Sequence, residues 1–239
     1  MLENSSILIT GGTGSFGHSF VNMTLKRYNP RRLVILSRDE MKQWEMAKLY
    51  KDDKRVMFFI GDVRDKERLV RAMKGIDYVI ANAGIGGDDA LFSGNSMKIN
   101  NIISTNLLGV TNILMPFIPV MKKQKSGTLV CISSVAGFIP APHHGGYTSS
   151  KAAIKMIFDS WRPTLNIFNI KAVTICPGFI DTKMVTGIGR SIPMKTAKQA
   201  SERFVDVIEK GINTFIYPWP YKILIWIYYL IPKKFYNFL

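Results

Sequence analysis

Cysteine is nearly absent: the 239 residues contain two, Cys131 and Cys176, each inside an apolar run. Both read as small buried hydrophobes, and neither a disulfide framework nor a metal-ligand spacing can be drawn from them. A reducing compartment is expected, with no metal. A signal-peptide pattern is also missing, because Ile7-Leu8-Ile9 runs straight into glycines, so a cytoplasmic protein is expected. Acidic residues are few, 17 Asp and Glu against 32 Lys and Arg, for a formal net charge of +15. That excess suits anionic partners such as phosphates or acidic lipid head groups. The basic residues fall in small dispersed groups (Lys26/Arg27, Arg31/Arg32, Lys122/Lys123/Lys125, Lys233/Lys234) without an aromatic-interleaved stripe. No nucleic-acid partner is expected from such a pattern. Low-complexity tracts, linkers and internal repeats are lacking as well, which leaves one globular domain of ordinary size.

What remains is a regular alternation of short apolar runs and amphipathic stretches. Strands are predicted at Ser6–Thr10, Leu33–Ser37, Val56–Ile60, Tyr78–Ala81, Thr128–Ser133 and Ala172–Cys176, with a further apolar segment at Thr214–Tyr217. Helices are predicted near Ser15–Tyr28, Glu40–Tyr50, Lys66–Met73, Ile99–Met121, Tyr147–Phe168 and Ala197–Lys210. Strands that are apolar throughout are buried on both faces, as in a parallel sheet. Strand–helix repetition at this spacing predicts an α/β fold: a doubly wound, Rossmann-type parallel sheet flanked by helices. One catalytic domain is drawn over residues 1–214, followed by an apolar tail over 215–239.

Thr10-Gly11-Gly12-Thr13-Gly14-Ser15-Phe16-Gly17 follows a strand and opens a helix, the setting in which such glycines hold a dinucleotide. Gly11 suits the tight turn, Gly14 a close approach to pyrophosphate, and Gly17 close helix–strand packing. Thr13, Ser15 and Phe16 lie on the same turn, where helix N–H groups meet phosphate. At the end of the second strand, where an NAD site usually places a carboxylate, stand Ser37 and Arg38. A hydroxyl and a guanidinium suit a 2′-phosphate, so NADP(H) is the expected cofactor. Asp39 and Glu40 read as helix-start carboxylates. Asp62 and Val63, past the third strand, are candidates for holding the adenine.

Tyr147 and Lys151 stand four apart on a predicted helix and so share a face. A neighbouring ammonium, together with the positive charge of an oxidised nicotinamide, stabilises phenolate, so a lowered tyrosine pKa is expected. Thirteen residues earlier comes Ser134, within Ile132-Ser133-Ser134-Val135-Ala136-Gly137. Asn82-Ala83-Gly84, Asn106 and Pro177-Gly178-Phe179-Ile180-Asp181-Thr182 complete an ordered set. From roughly residue 5 to 185 this set resembles the short-chain dehydrogenase/reductase family. The resemblance implies hydride transfer between a small-molecule carbonyl or alcohol and NADP(H). It gives Ser134 the substrate oxygen, Tyr147 the proton, Lys151 the nicotinamide ribose, and Asn106 a water beside the lysine. It places Asn82, Ala83, Gly84, Pro177, Gly178, Ile180 and Thr182 around the cofactor, and it implies a homodimer or homotetramer.

The first third also resembles another group. Residues 7–17, Ser37-Arg38-Asp39-Glu40 and Gly61-Asp62-Val63-Arg64-Asp65 are similar to nucleotide-sugar 4,6-dehydratases of bacterial surface-glycan pathways. Ser133-Ser134 stands where those enzymes would carry Thr-Asp-Lys, so the likeness supports NADP binding rather than dehydration. Two alternatives to a carbonyl reductase stay open: modification of a nucleotide-linked sugar, and a non-catalytic dinucleotide-binding scaffold.

Ile223–Ile231 is apolar on every helical face and too short to span a bilayer, which needs roughly twenty residues. With Trp219, Trp226, Tyr228, Tyr229, Lys233 and Lys234, the tail over 215–239 reads either as an interfacial membrane anchor, peripheral on the inner face, or as a lid or subunit interface. Both readings tilt the substrate toward a lipophilic one. His143 and His144 are read as solvated or capping, Pro140 and Pro142 as loop stiffeners, and Phe179, Met184 and Met194 as pocket or core. The substrate loop is placed at Thr182–Met194.

Overall fold

A computed structural model of the chain describes residues 2–65, 75–182 and 194–232. The helix expected over Lys66–Met73, Met184, most of the loop expected over Thr182–Met194, and Lys233 with Lys234 lie outside the described residues.

Seven parallel strands form one sheet: β1 (Ser6–Thr10), β2 (Arg32–Ser37), β3 (Val56–Ile60), β4 (Tyr78–Ala81), β5 (Gly127–Ile132), β6 (Ile170–Pro177) and β9 (Thr214–Tyr217). Their order is β3-β2-β1-β4-β5-β6-β9, and two short strands, β7 (Ile180–Asp181) and β8 (Lys195–Thr196), pair apart from it. The order reverses at β1, so β1 and β4 diverge into a crevice at their carboxyl ends, the switch point where such sheets bind ligands. This is the doubly wound sheet expected from the alternating pattern. The division drawn at residue 214 passes through β9, whose Phe215 and Tyr217 pair with Ile175 and Pro177; the sheet therefore runs on to Tyr217.

Helices cover both faces: α1 (Ser15–Arg27), α2 (Glu40–Leu49), α3 (Met97–Gln124), α4 (Gly145–Asn166), α5 (Ala197–Lys210) and α6 (Pro220–Leu230). Alternate residues of each strand feed opposite cores. Leu8, Leu36, Val79 and Leu129 join Ile113, Phe117 and Phe158 on one side, while Ile7, Ile35, Ile80 and Val130 join Phe20, Phe204 and Ile208 on the other. By length and composition α3 could cross a membrane, yet Val110, Ile113, Leu114, Phe117 and Met121 are buried in the first of these cores.

The long helix expected near Ile99–Met121 is not uniform. Ser104–Leu108 is a π turn between the α-helical pieces Met97–Ile103 and Gly109–Leu114. A π turn adds a residue to the helix, which leaves apolar periodicity nearly intact while re-aiming one side chain. Here it carries Thr105 and Asn106, both buried beside the crevice.

Candidate active site

A cleft of about 680 Å³ follows the carboxyl edge of the sheet from β2 to β6. The turn after β1 forms its floor. The Gly14 amide donates to the Gly11 carbonyl at 3.0 Å, and α1 starts at Ser15 without an acidic residue in its first turn. The positive end of the helix dipole therefore meets the cleft uncompensated. Gly17 has no room for a side chain, since a Cβ there would strike the backbone of Gly12. Asn82 locks the β4 end to this turn, donating through Nδ2 to the carbonyls of Thr10 (3.0 Å) and Gly11 (3.2 Å). Ala83 donates its amide to Thr10 Oγ1, and Gly84 continues the wall. Thr13, Ser15 and Phe16 line the same floor. This cradle of amides and small residues fits a dinucleotide pyrophosphate.

At the β2 end the two residues expected to recognise a 2′-phosphate part company. Ser37 is buried, its Oγ hydrogen-bonded to Thr13 Oγ1 at 2.8 Å and accepting the Asp39 amide at 3.3 Å. It serves the turn. Arg38 is exposed, with its guanidinium 3.9 Å from Asp62. Asp62 accepts from Arg64 Nη2 at 2.6 Å and Nε at 3.0 Å, and the Arg64 guanidinium holds its carboxyl below the ordinary carboxylate range. Its side chain is thus engaged with arginine, while buried Val63 packs on Gly109 of α3. Asp39 caps α2 by accepting the Lys42 amide, as its helix-start position suggested. Lys42 also lines the cleft, which nothing in the local sequence announces.

At the β5–β6 end four residues converge. Ser134 follows β5, its Oγ accepting the Ala136 amide at 3.1 Å and donating to Pro177 O at 3.4 Å. Tyr147 lies in the first turn of α4 and shares the cleft wall with Ser134. Lys151 is 5% exposed, donates to Ile132 O at 2.8 Å and sits 5.7 Å from the centre of the Tyr147 ring. Ser133 Oγ donates to the Lys151 carbonyl at 2.8 Å, so the strand end and the helix are fastened together.

Among the chain's own groups, burial dominates the charge behaviour of both Tyr147 and Lys151. Burial pushes the Tyr147 phenol up from its ordinary value, against a downward pull from the Ser134 hydroxyl. Burial also brings the Lys151 ammonium down, to about 8. Burial is the larger influence on the phenol, and the Lys151 ammonium makes its hydrogen bond to the Ile132 carbonyl rather than to the phenol.

Asn106 is fully buried with its amide committed: Nδ2 donates to Ile85 O (2.8 Å) and Ser150 Oγ (3.2 Å), while Oδ1 accepts the Ile85 amide at 2.8 Å. It clamps the segment after β4 to α4. Pro177, Gly178, Ile180 and Thr182 line the far wall. Phe179 turns instead to the tail, its ring 6.4 Å from that of Tyr221. His143 and His144 are exposed, and His144 Nδ1 meets Pro142 O at 2.7 Å.

Two buried polar residues went unnoticed in the sequence. Asp89, 3% exposed, accepts the Gly146 amide at 3.1 Å at the start of α4. A lone aspartate in a loop carries no local sign of a partner so far along the chain. Thr105 lines the cleft with a buried hydroxyl that has no partner among the described groups; only the π turn reveals that it faces inward.

Comparison with known proteins agrees with this geometry. A family model described as short chain dehydrogenase matches residues 5–193. A UDP-N-acetylglucosamine 4,6-dehydratase (inverting) from Campylobacter jejuni is 43% identical over 114 residues, 48% of this chain and 33% of its own. The chain thus spans about a third of the length of that relative. A 3-oxoacyl-[acyl-carrier-protein] reductase from Thermotoga maritima is 28% identical over 213 residues, 84% of this chain and 83% of its own. Among solved structures, a short chain dehydrogenase from Burkholderia cenocepacia in complex with NADP superposes with a TM-score of 0.83 at 20% identity, covering 94% of this chain and 92% of its own.

Proposed function

The chain belongs to the short-chain dehydrogenase family of oxidoreductases, and we propose that within it the protein interconverts a carbonyl and a secondary alcohol using NADP(H). The observation that supports this most is the meeting of Ser134, Tyr147 and Lys151 on one wall of a cleft whose other end is the open helix N-terminus and Arg38. Bound in that cleft, the nicotinamide supplies or accepts the hydride.

The chain's own residues do the rest. The Ser134 hydroxyl donates to the substrate oxygen and fixes the reacting carbon. The Tyr147 phenol gives its proton to that oxygen as negative charge develops there, or takes it back in the reverse direction. Burial favours the protonated phenol, the form that donates. Lys151 offers its ammonium to ribose hydroxyls, and Asn106 keeps the segment after β4 in register with α4. Arg38, with Lys42 beside it on the cleft wall, provides cations for a 2′-phosphate. The substrate is taken to be lipophilic, the protein cytoplasmic and a homo-oligomer.

Separate calorimetric titrations of NADPH and NADH test the cofactor assignment, and a panel of aldehydes and ketones followed by NADPH absorbance tests the reaction. Tight NADPH with weak NADH, and consumption with at least one carbonyl, is the expected result. Tight NADH or silence across the panel overturns the reading. A second reading, modification of a nucleotide-linked sugar, has the dehydratase-like stretch in its favour. Binding of a UDP-sugar with change at a sugar carbon would replace the first reading with the second.

A further inference from the structure

Helix α6 leaves most of its apolar surface uncovered. Among its residues only Ile225 is buried. Ile223, Leu224, Trp226, Ile227 and Leu230 are between 46% and 64% exposed, and Trp219 just before them is 67% exposed. Soluble proteins rarely present so contiguous an apolar patch without a partner. The helix is nevertheless fixed in place by two ties. The Tyr221 ring lies over Gly178, where a Cβ would collide with it, and Tyr229 Oη donates to Phe138 O at 3.1 Å. Those partners belong to the segments after β6 and β5, which also carry the cleft wall and Ser134. The exposed face therefore stands beside the mouth of the cleft. Leu91 and Phe92, in the segment after β4, are also exposed, at 56% and 97%.

Charge says what could cover this face. From Gly211 onward the sequence has three lysines, at 222, 233 and 234, and no aspartate or glutamate. Lys222 is exposed on α6 itself. Eleven residues cannot span a bilayer. A helix of this kind, with tryptophan and tyrosine beside aliphatic side chains, cations and no anions, suits the plane of the membrane interface. We propose that α6 seats the protein on an anionic lipid surface, holding the cleft mouth against the bilayer. This goes beyond the proposed chemistry and does not depend on it.

The test is co-sedimentation of the full chain with vesicles of phosphatidylcholine alone and of phosphatidylcholine mixed with phosphatidylglycerol. Binding to the mixed vesicles, weak binding to phosphatidylcholine, and loss in high salt are expected. The variant W226E/L230E alters only exposed side chains, and its partitioning should fall at least roughly tenfold, since each glutamate replaces apolar contact with a charge repelled by the lipid. Unchanged thermal melting shows that the variant is folded. Salt-insensitive binding, equal binding by the variant, or no vesicle binding overturns the proposal. So does a dimer that W226E/L230E dissociates while vesicles are ignored, because a second copy is then the occupant.

Discussion

Asp89 and Gly146 are 57 residues apart, yet the Asp89 carboxylate accepts the Gly146 amide at 3.1 Å, one residue before Tyr147. The α4 N-cap residue, His144, makes no side-chain cap of its own. A carboxylate from the segment after β4 therefore satisfies an orphan donor and meets the positive end of the helix dipole. Asp89→Ala leaves the Gly146 N–H unpaired and should cost about 1–2 kcal/mol, the usual scale for a lost helix cap. A drop of several degrees in melting temperature by calorimetry is expected, and an unchanged transition contradicts the assignment.

Lys151 supplies a pH dependence. Its ammonium is held down to about 8 from 10.5, chiefly by burial. The charged form, which serves ribose hydroxyls, is therefore lost as pH rises through about 8. NADPH affinity, followed by tryptophan quenching, should weaken through that region, and Lys151→Met should abolish the step. Stability runs the other way. Between the folded and unfolded values the unfolded chain binds more protons, so the cost of burying the cation is full below about 8 and fades toward 10.5. The melting-temperature difference between Lys151→Met and the parent should accordingly shrink across that window.

Arg38 tests cofactor choice. With Ser37 tied to Thr13, the guanidinium is the group to which the proposed preference for a 2′-phosphate is assigned. Charge-assisted hydrogen bonds are worth about 1.5–3 kcal/mol, so Arg38→Ala should weaken NADPH roughly tenfold to hundredfold and leave NADH nearly unaffected. Equal losses for both cofactors would show that Arg38 shapes the site generally.

Gly178 and Tyr221 form a coupled pair. Gly178→Ala drives a methyl into the Tyr221 ring and should loosen α6, seen as a shift in tryptophan emission and faster proteolysis of the tail. Adding Tyr221→Ala removes the collision and should restore much of the loss, a non-additivity typical of residues in contact. Purely additive effects would contradict this packing.

The parts of the molecule legible in the sequence are those set by local pattern. The turn from Thr10 to Gly17 announces itself because its glycines sit between an apolar strand and a helix, and β1, β3 and β4 occupy the residues expected of them. Ser134, Tyr147 and Lys151 could be named because their spacing survives in linear form. Asp89 could not, since its partner is supplied by tertiary folding. The π turn at Ser104–Leu108 escaped because an added residue hardly disturbs helical periodicity. The surroundings of Tyr147 were out of reach for a similar reason: the spacing places lysine near tyrosine, but only the fold shows the ammonium hydrogen-bonded to Ile132 O and the phenol buried.

The most direct measurement compares Tyr147→Phe with the parent for NADPH affinity and for turnover of a carbonyl that the parent accepts. Removing the phenolic proton while keeping the ring should lower turnover by about 10²- to 10⁴-fold, the range for a lost general acid, with NADPH binding nearly unchanged. Full turnover in Tyr147→Phe would contradict the account, because the proton would then come from another group.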